Sequence, residues 1–249
     1  MEIHEHRKLA EVEDGMWYFR SLHRHVLREA QRALAGGRQP VAPRLLDAGC
    51  GTGGLLCRLH EAEPRWDLTG LDFSEFACEV ARKRCPAARI QQGSTTALPF
   101  ADASFDLIIS ADVLCQITEH REALAELFRC LRPGGTLVVN VPAYRWLWSY
   151  HDVAVGGRYR FGRGELHRLV GDAGFVGVTS THWNTLPFPL VVAKRKLMPA
   201  ATGGASDVRA FPAPVEAVFR GLMAAEHGWI RRVSSLPYGC SILLTARKA

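Results

Sequence analysis

The chain has 249 residues, 47% hydrophobic and 22% charged. That suffices for one large domain with a full core, or a domain with a small cap, and excludes a disordered or fibrous chain. The net charge of +6 brings nucleic acid and membrane surfaces into view as partners. The basic residues are spread out, however: Lys194–Lys196 and the Arg231, Arg232 pair read as solvated faces, leaving only Arg158, Arg160, Arg163 and Arg168 to be placed. Seven cysteines with no C-x-x-C pair, and no charged-then-apolar leader, argue against a disulfide scaffold or a zinc site, so no metal is expected. No apolar stretch approaches the roughly 18 residues of a bilayer span. The reading is a reduced, cytoplasmic protein.

In chain order, residues 4–35 carry a helical stripe through Trp17, Phe19, Leu22, Val26 and Ala30. "GGRQPVAP" then breaks the pattern as a linker. From residue 44 the period changes. "RLLDAG" predicts a buried strand, a helix follows through Leu55, Leu56 and Leu59, and "DLTGLD" predicts a second strand. Ser74 is the N-cap of a helix over "EFACEVARKRC", in which Cys78 and Cys85 share one face as small core residues. "ARIQQG" is a weak third strand and "FDLIISAD" a strong fourth. "HREALAELFRCLRPGG" is a helix closed by Pro-Gly-Gly, and "TLVVNVP" a fifth strand. The rhythm lapses over "AYRWLWSYHDVAVGGRYRFGRG", an aromatic, basic and glycine-rich loop. A helix over "ELHRLVGDAGF", a strand over "VGVTSTHW", a flexible "TGGASD", a helix over "PVEAVFRGLMAAEHGWI" and a last strand over "GCSILLTARK" complete the chain. Alternating strands and helices at this spacing imply right-handed crossovers and a parallel sheet covered on both faces.

The first strand ends in Asp47-x-Gly49-x-Gly51-x-Gly53, with Gly54 adjacent. Glycines there let backbone approach a ligand and turn into a helix whose free N–H groups face it. Alone, this pattern is equally a tight strand-to-helix turn. Asp72, at the end of the second strand, adds the acid that would grip two ribose hydroxyls. Together they point to a nucleoside ligand. Asp47 selects among nucleosides, because a carboxylate suits an ammonium-bearing sulfonium nucleoside better than a pyrophosphate. S-adenosyl-L-methionine is favoured over NAD.

"LLDAGCGTGGLL", "LTGLDFSEFACEVAR", "IQQGSTTALPFADASFDLIISADVLCQI" and "LFRCLRPGGTLVVNVP" together resemble the successive motifs of the Rossmann-like, class I S-adenosylmethionine-dependent methyltransferases, over residues 40–182 and again at the final strand. The resemblance implies an α/β fold with a seven-stranded, mostly parallel sheet. Residues 1–40 would form a helical lid, and 41–249 the cofactor-binding domain with an aromatic substrate loop at 143–163. It places Asp47, Gly49, Gly51 and Gly53 around the methionine part, Asp72 on the ribose and Phe73 on the adenine. Ser94 and Thr95 fall near the adenine amino group, where Ser94 replaces an acid, and Ala111 and Asp112 lie below the methyl. Gln116 replaces a frequent histidine and is a substrate candidate. The product would be S-adenosyl-L-homocysteine.

"EVEDGMWYFRSLHRHVL" is similar to an N-terminal element of a bacterial subgroup of this family, in which Trp17, Tyr18, Phe19 and Arg20 would cap the cofactor and Arg20 pair with its carboxylate. The loop after strand five resembles the same subgroup's, with Gly157 and Phe161 in place of a histidine and a tyrosine. Tyr144, Trp146 and Trp148 form an aromatic wall that could bind substrate. His151 is the first candidate base, since its ordinary pKa is near neutrality; Tyr18 and His167 follow. The leading expectation is methylation of a small, partly aromatic acceptor, such as an indole-type natural-product intermediate. Methylation of a sugar or lipid-linked glycan, and a non-catalytic cofactor-binding module, are the alternatives. Nucleic acid is disfavoured, because "SADVLC" stands where an amino-methylating motif would follow strand four. The oligomeric state is left open.

Overall fold

The sheet begins where helical periodicity gives way at residue 44. A computed structural model describes residues 3–35, 42–197, 206–233 and 235–249; most of the expected linker at 36–43 and of the flexible stretch at 202–207 lies outside them. The strands are β1 (Arg44–Ala48), β2 (Asp67–Asp72), β3 (Arg89–Gln92), β4 (Phe105–Ala111), β5 (Leu131–Pro142), β6 (Phe175–Trp183) and β7 (Ser241–Lys248). They form one sheet in the order β3-β2-β1-β4-β5-β7-β6. β1 to β5 are parallel, and β7 runs antiparallel to both neighbours. Seven strands, mostly parallel, is the fold the sequence implies.

Strands buried on both faces read as continuous apolar runs, and β4 shows why. Ile108 joins one core with Leu46, Val139 and Leu124, while Leu107 and Ile109 join another with Leu45, Val138 and Leu56. The first core is roofed by α5 (His120–Cys130) and α7 (Arg163–Asp172). The second is roofed by α2 (Trp17–Leu34), α3 (Gly54–Ala62) and α9 (Ala213–Val233). Ser74 caps α4 (Glu75–Arg84), its hydroxyl accepting from the Ala77 N–H at 3.3 Å, and Cys78 and Cys85 are buried.

Two expectations change. The single N-terminal helix is two, α1 (Ile3–Val12) and α2, because Glu13 turns inward and Met16 is extended. Glu13 accepts from the Thr52 hydroxyl at 2.8 Å and from Arg84 Nη1 at 2.7 Å, which staples the chain to the glycine turn. In addition, a short α6 (Tyr150–Ala154) lies in the aromatic loop, and α8 (Phe188–Leu197) follows β6 where no helix was predicted. Among the described residues no helix is long and apolar enough to cross a membrane.

Candidate active site

The strand order reverses between β1 and β4, the position at which open α/β sheets bind ligands. A cavity of about 800 Å³ lies there, over the carboxyl ends of β1, β2, β4 and β5. Its roof comes from Leu9 and Trp17–Phe19 at the N-terminus and from Val208, Phe211 and Phe219 near the C-terminus. Trp17 stacks on Phe219 with ring centroids 4.8 Å apart.

At one end is the glycine turn. Gly49, Gly51 and Gly53 have φ of 99°, 51° and 83°, backbone that favours glycine. A Cβ on Gly49 would meet Val113 at 2.1 Å, whereas one on Gly51 would face open space, with Leu9 nearest at 3.7 Å. Gly53 was expected against the ligand but does not line the cavity. It caps α3 and lies close against Ala81 of α4. Asp47 is buried, and its Oδ1 has no hydrogen-bond partner among the described residues. Burial, with the charges of Glu13 and Asp72 adding, raises its pKa to about 8. A buried carboxyl without a donor is a cost to the fold that an ammonium group would relieve. Asp72 accepts from the Gly51 and Ser74 N–H groups, each at 2.9 Å, which aims it at the cleft with acceptor capacity left over. Phe73 beside it is 80% exposed and lines the cavity together with Ser94 and Thr95. These residues fit an adenosyl amino acid.

Midway stands Asp112, whose φ of 58° is held by its own N–H donating to the Asn140 carbonyl at 2.8 Å. Its carboxylate accepts from Asn140 Nδ2 at 2.8 Å and from the Tyr18 hydroxyl at 3.1 Å. Asn140 is fixed in turn by the Trp183 indole N–H at 2.7 Å, and Tyr18 stacks on Trp183 at 5.2 Å. Burial lifts Asp112 to about 6 against these hydrogen bonds. The Tyr18 phenol goes well above its ordinary range through burial and the Asp112 charge, so it is a donor here. Ala111, Gln116 and Trp17 also line the cavity.

The far end lies beyond β5 and holds His151, Arg158, Arg160, Lys194, Arg195 and Asp207. Asp152 and Arg160 form a buried pair at 2.7 Å. His151 Nδ1 accepts from the Asp207 N–H at 3.0 Å, so the neutral ring carries its proton on Nε2 and offers a donor, not a base. Burial and then the Arg195 charge lower its pKa to about 4, which keeps it neutral.

Several predicted residues lie elsewhere. Arg20 is exposed and donates to the Asp14 carbonyl at 3.3 Å; Tyr18 and Leu22 face the cavity, and position 20 is on the opposite side of that helix. Tyr144, Trp146 and Trp148 do not line the cavity. Tyr144 stacks on His182 at 5.4 Å and on Trp146 at 5.6 Å, outside α8. Phe161 is a core residue, and His167 bonds the Ser180 hydroxyl at 2.7 Å. Conversely, Lys194 and Arg195 are not a solvated face. Leu190, Val191, Lys194 and Arg195 make the cavity face of α8, an i, i+1, i+4, i+5 spacing that could have marked a helix there. Asn140, Glu13 and Asp207 were also missed, their partners being far off in sequence.

An open α/β sheet with a glycine turn after β1, an acid after β2 and a cavity at the switch point defines a Rossmann-like nucleoside-binding protein. Residues 46–139 match the family Methyltransf_11, described as a methyltransferase domain. This match and the relatives and solved structures below support a class I S-adenosylmethionine-dependent methyltransferase. It is 35% identical over 117 residues to the demethylmenaquinone methyltransferase of Thermus thermophilus, an overlap of 45% of this chain and 53% of that one. The chain thus spans about half the length of the curated relatives it matches. Among solved structures it shares the fold of a possible histamine N-methyltransferase from Thermotoga maritima (TM-score 0.55, 20% identity, 98% and 99% of the chains). It also shares that of the geranyl diphosphate C-methyltransferase of Streptomyces coelicolor A3(2) (TM-score 0.60, 16% identity, 93% and 81%).

Proposed function

We propose that the protein transfers a methyl group from S-adenosyl-L-methionine to a small, partly apolar acceptor, leaving S-adenosyl-L-homocysteine. The observation that carries this reading is Asp47, buried with an unpartnered oxygen beside the glycine turn. Such a floor suits an ammonium-bearing nucleoside, contact with which favours the ionised carboxyl, better than a pyrophosphate, which does not. The cofactor, when bound, supplies an electrophilic methyl on a sulfonium.

The chain's own work is placement and exclusion of water. Asp47 and Asp72 fix one end of the cofactor, and the Trp17, Phe211 and Phe219 roof covers it. A cavity of about 800 Å³ lies within the roughly 300–1,000 Å³ of small-ligand sites. Since it must hold cofactor and acceptor together, the acceptor is a small molecule. The likeness to a demethylmenaquinone methyltransferase supports an organic acceptor of that kind. With Trp146 and Trp148 outside the cavity, the reason for favouring an indole is gone. Where the acceptor must shed a proton, Asp112 takes it: ionised above about pH 6 and facing the cavity, it replaces His151 in that role, and Tyr18 positions it.

Radiolabelled methyl transfer across a panel of small acceptors, with calorimetry of S-adenosyl-L-homocysteine binding, tests the proposal. Product affinity and labelled acceptor are expected. No affinity for that product, with retention of a nicotinamide nucleotide, would overturn the reading. Affinity without any turnover would leave a cofactor-binding module.

A further inference from the structure

The far end of the cavity holds a buried cation with no close counterion of its own. The Arg195 side chain is 9% exposed and lines the cavity, and its Nε has no hydrogen-bond partner among the described residues. Its Nη1 reaches the Leu147 carbonyl only at 3.5 Å and Asp152 only at 3.9 Å. The neighbouring carboxylates are already engaged. Asp152 accepts from Arg160 at 2.7 Å, from the Ser149 N–H at 2.8 Å and from the Ser149 hydroxyl at 3.2 Å. Asp207 pairs with Lys194 and accepts from the Tyr150 hydroxyl at 2.9 Å. Those two pairs cancel, and Arg195 is left over.

An arginine cannot shed its proton to escape burial, so the unpaired charge is retained against a desolvation cost. Burial, with the Arg160 charge adding, lowers the Arg195 pKa by more than the charges of Asp152 and Asp207 raise it, as for a buried cation whose counterions stand off. The second donor at this end is His151. With Nδ1 occupied by the Asp207 N–H, it presents Nε2–H. A guanidinium whose Nε lacks an acceptor, together with an imidazole N–H, makes a site for an oxyanion.

We propose that the acceptor carries an anionic oxygen group, a carboxylate or a phosphate, which Arg195 and His151 hold at this end while the rest of the molecule extends toward Asp112. Only the word acceptor rests on the methyltransferase reading; the anion site stands without it.

The test is titration of the full chain, with and without S-adenosyl-L-homocysteine, by benzoate, phenyl phosphate and the neutral isostere benzamide. At least one anion is expected to bind with benzamide at least tenfold weaker, and the anion that binds names the group. Arg195→Gln should weaken that anion roughly tenfold or more, Arg195→Lys less, and the exposed Lys196→Gln not at all. Product affinity should stay within twofold throughout, which also reports that each variant is folded. Should Arg195→Gln not fold, the anion-to-benzamide comparison in the unaltered protein and Arg195→Lys decide. Benzamide binding as tightly as both anions, or anions held equally by Arg195→Gln, would overturn the proposal. So would a fall in product affinity that Arg195→Lys restores, since it would assign the arginine to the cofactor carboxylate. Absence of product affinity in the unaltered protein would count against the methyltransferase reading alone, and the titration without product would still decide the site.

Discussion

Cofactor binding should expel a proton, and the structure sets how much. In the free protein Asp47 has a pKa of about 8, so at pH 7 it holds about 0.9 of a proton. An ammonium in contact lowers a carboxyl's pKa by roughly 1–3, to about 5–7, and the complex then retains between about 0.5 and 0.01 of a proton. Binding of S-adenosyl-L-homocysteine at pH 7 should therefore release about 0.4–0.9 of a proton. Calorimetry in buffers of differing ionisation enthalpy measures that number directly, and Asp47→Asn should abolish the release. The same raised pKa fixes the sign of a stability trend. The folded, ligand-free protein holds a proton that the unfolded chain has lost above about pH 4, so this group's contribution declines as pH rises from about 4 to about 8. Asp47→Asn should flatten that part of the curve. Proton uptake on binding, or an unchanged release in Asp47→Asn, would refute the argument that an orphaned carboxyl meets an ammonium.

Three further outcomes are expected. The rate kcat/KM should rise with pH through about 6 and level off as Asp112 ionises, provided that the acceptor loses a proton; Asp112→Asn should remove that limb and His151→Gln should leave it. Trp146→Ala and Trp148→Ala should change turnover by less than about twofold, while Trp17→Ala should cost about 3–5 kcal/mol of stability in denaturant melts and depress turnover as well. Glu13→Ala removes the buried acceptor of Thr52 and one of the two carboxylates on Arg84, which keeps Asp14 at 2.9 Å, and should cost about 1–3 kcal/mol. Hydrogen bonding to His23, Thr52 and Arg84 holds the Glu13 pKa below its usual value despite burial, so its contribution is complete above about pH 5 and is lost as pH falls through the depressed value. A pH-independent melting difference between Glu13→Gln and the unaltered protein would contradict this.

The cofactor end was legible in the sequence because its information is local. The change of period at residue 44, the glycine turn and Asp72 each act within a few residues of their own strand. Ser74 capped its helix as read. The far end of the cavity was not legible, because its logic is tertiary. The role of His151 depends on a backbone N–H 56 residues away at Asp207. Tyr144 sits at a φ of 63° with its N–H tied to the Phe161 carbonyl at 2.9 Å, which turns the aromatic loop outward. Two prolines and a β-branched run obscured α8, so its basic triplet read as surface although Arg195 points inward. Asn140 lies 28 residues beyond Asp112 in the chain, yet it is the side chain that orients it.

β7 is the last strand in chain order, yet it is interior to the sheet, hydrogen-bonded to β5 on one side and β6 on the other. Until residues 241–248 are seated, both neighbours present bare ladder groups, and the Trp183 indole that braces Asn140 sits on a strand with no anchor. Removing these residues would not fray a margin; it would cut β6, and the Trp183 it carries, away from the other five strands.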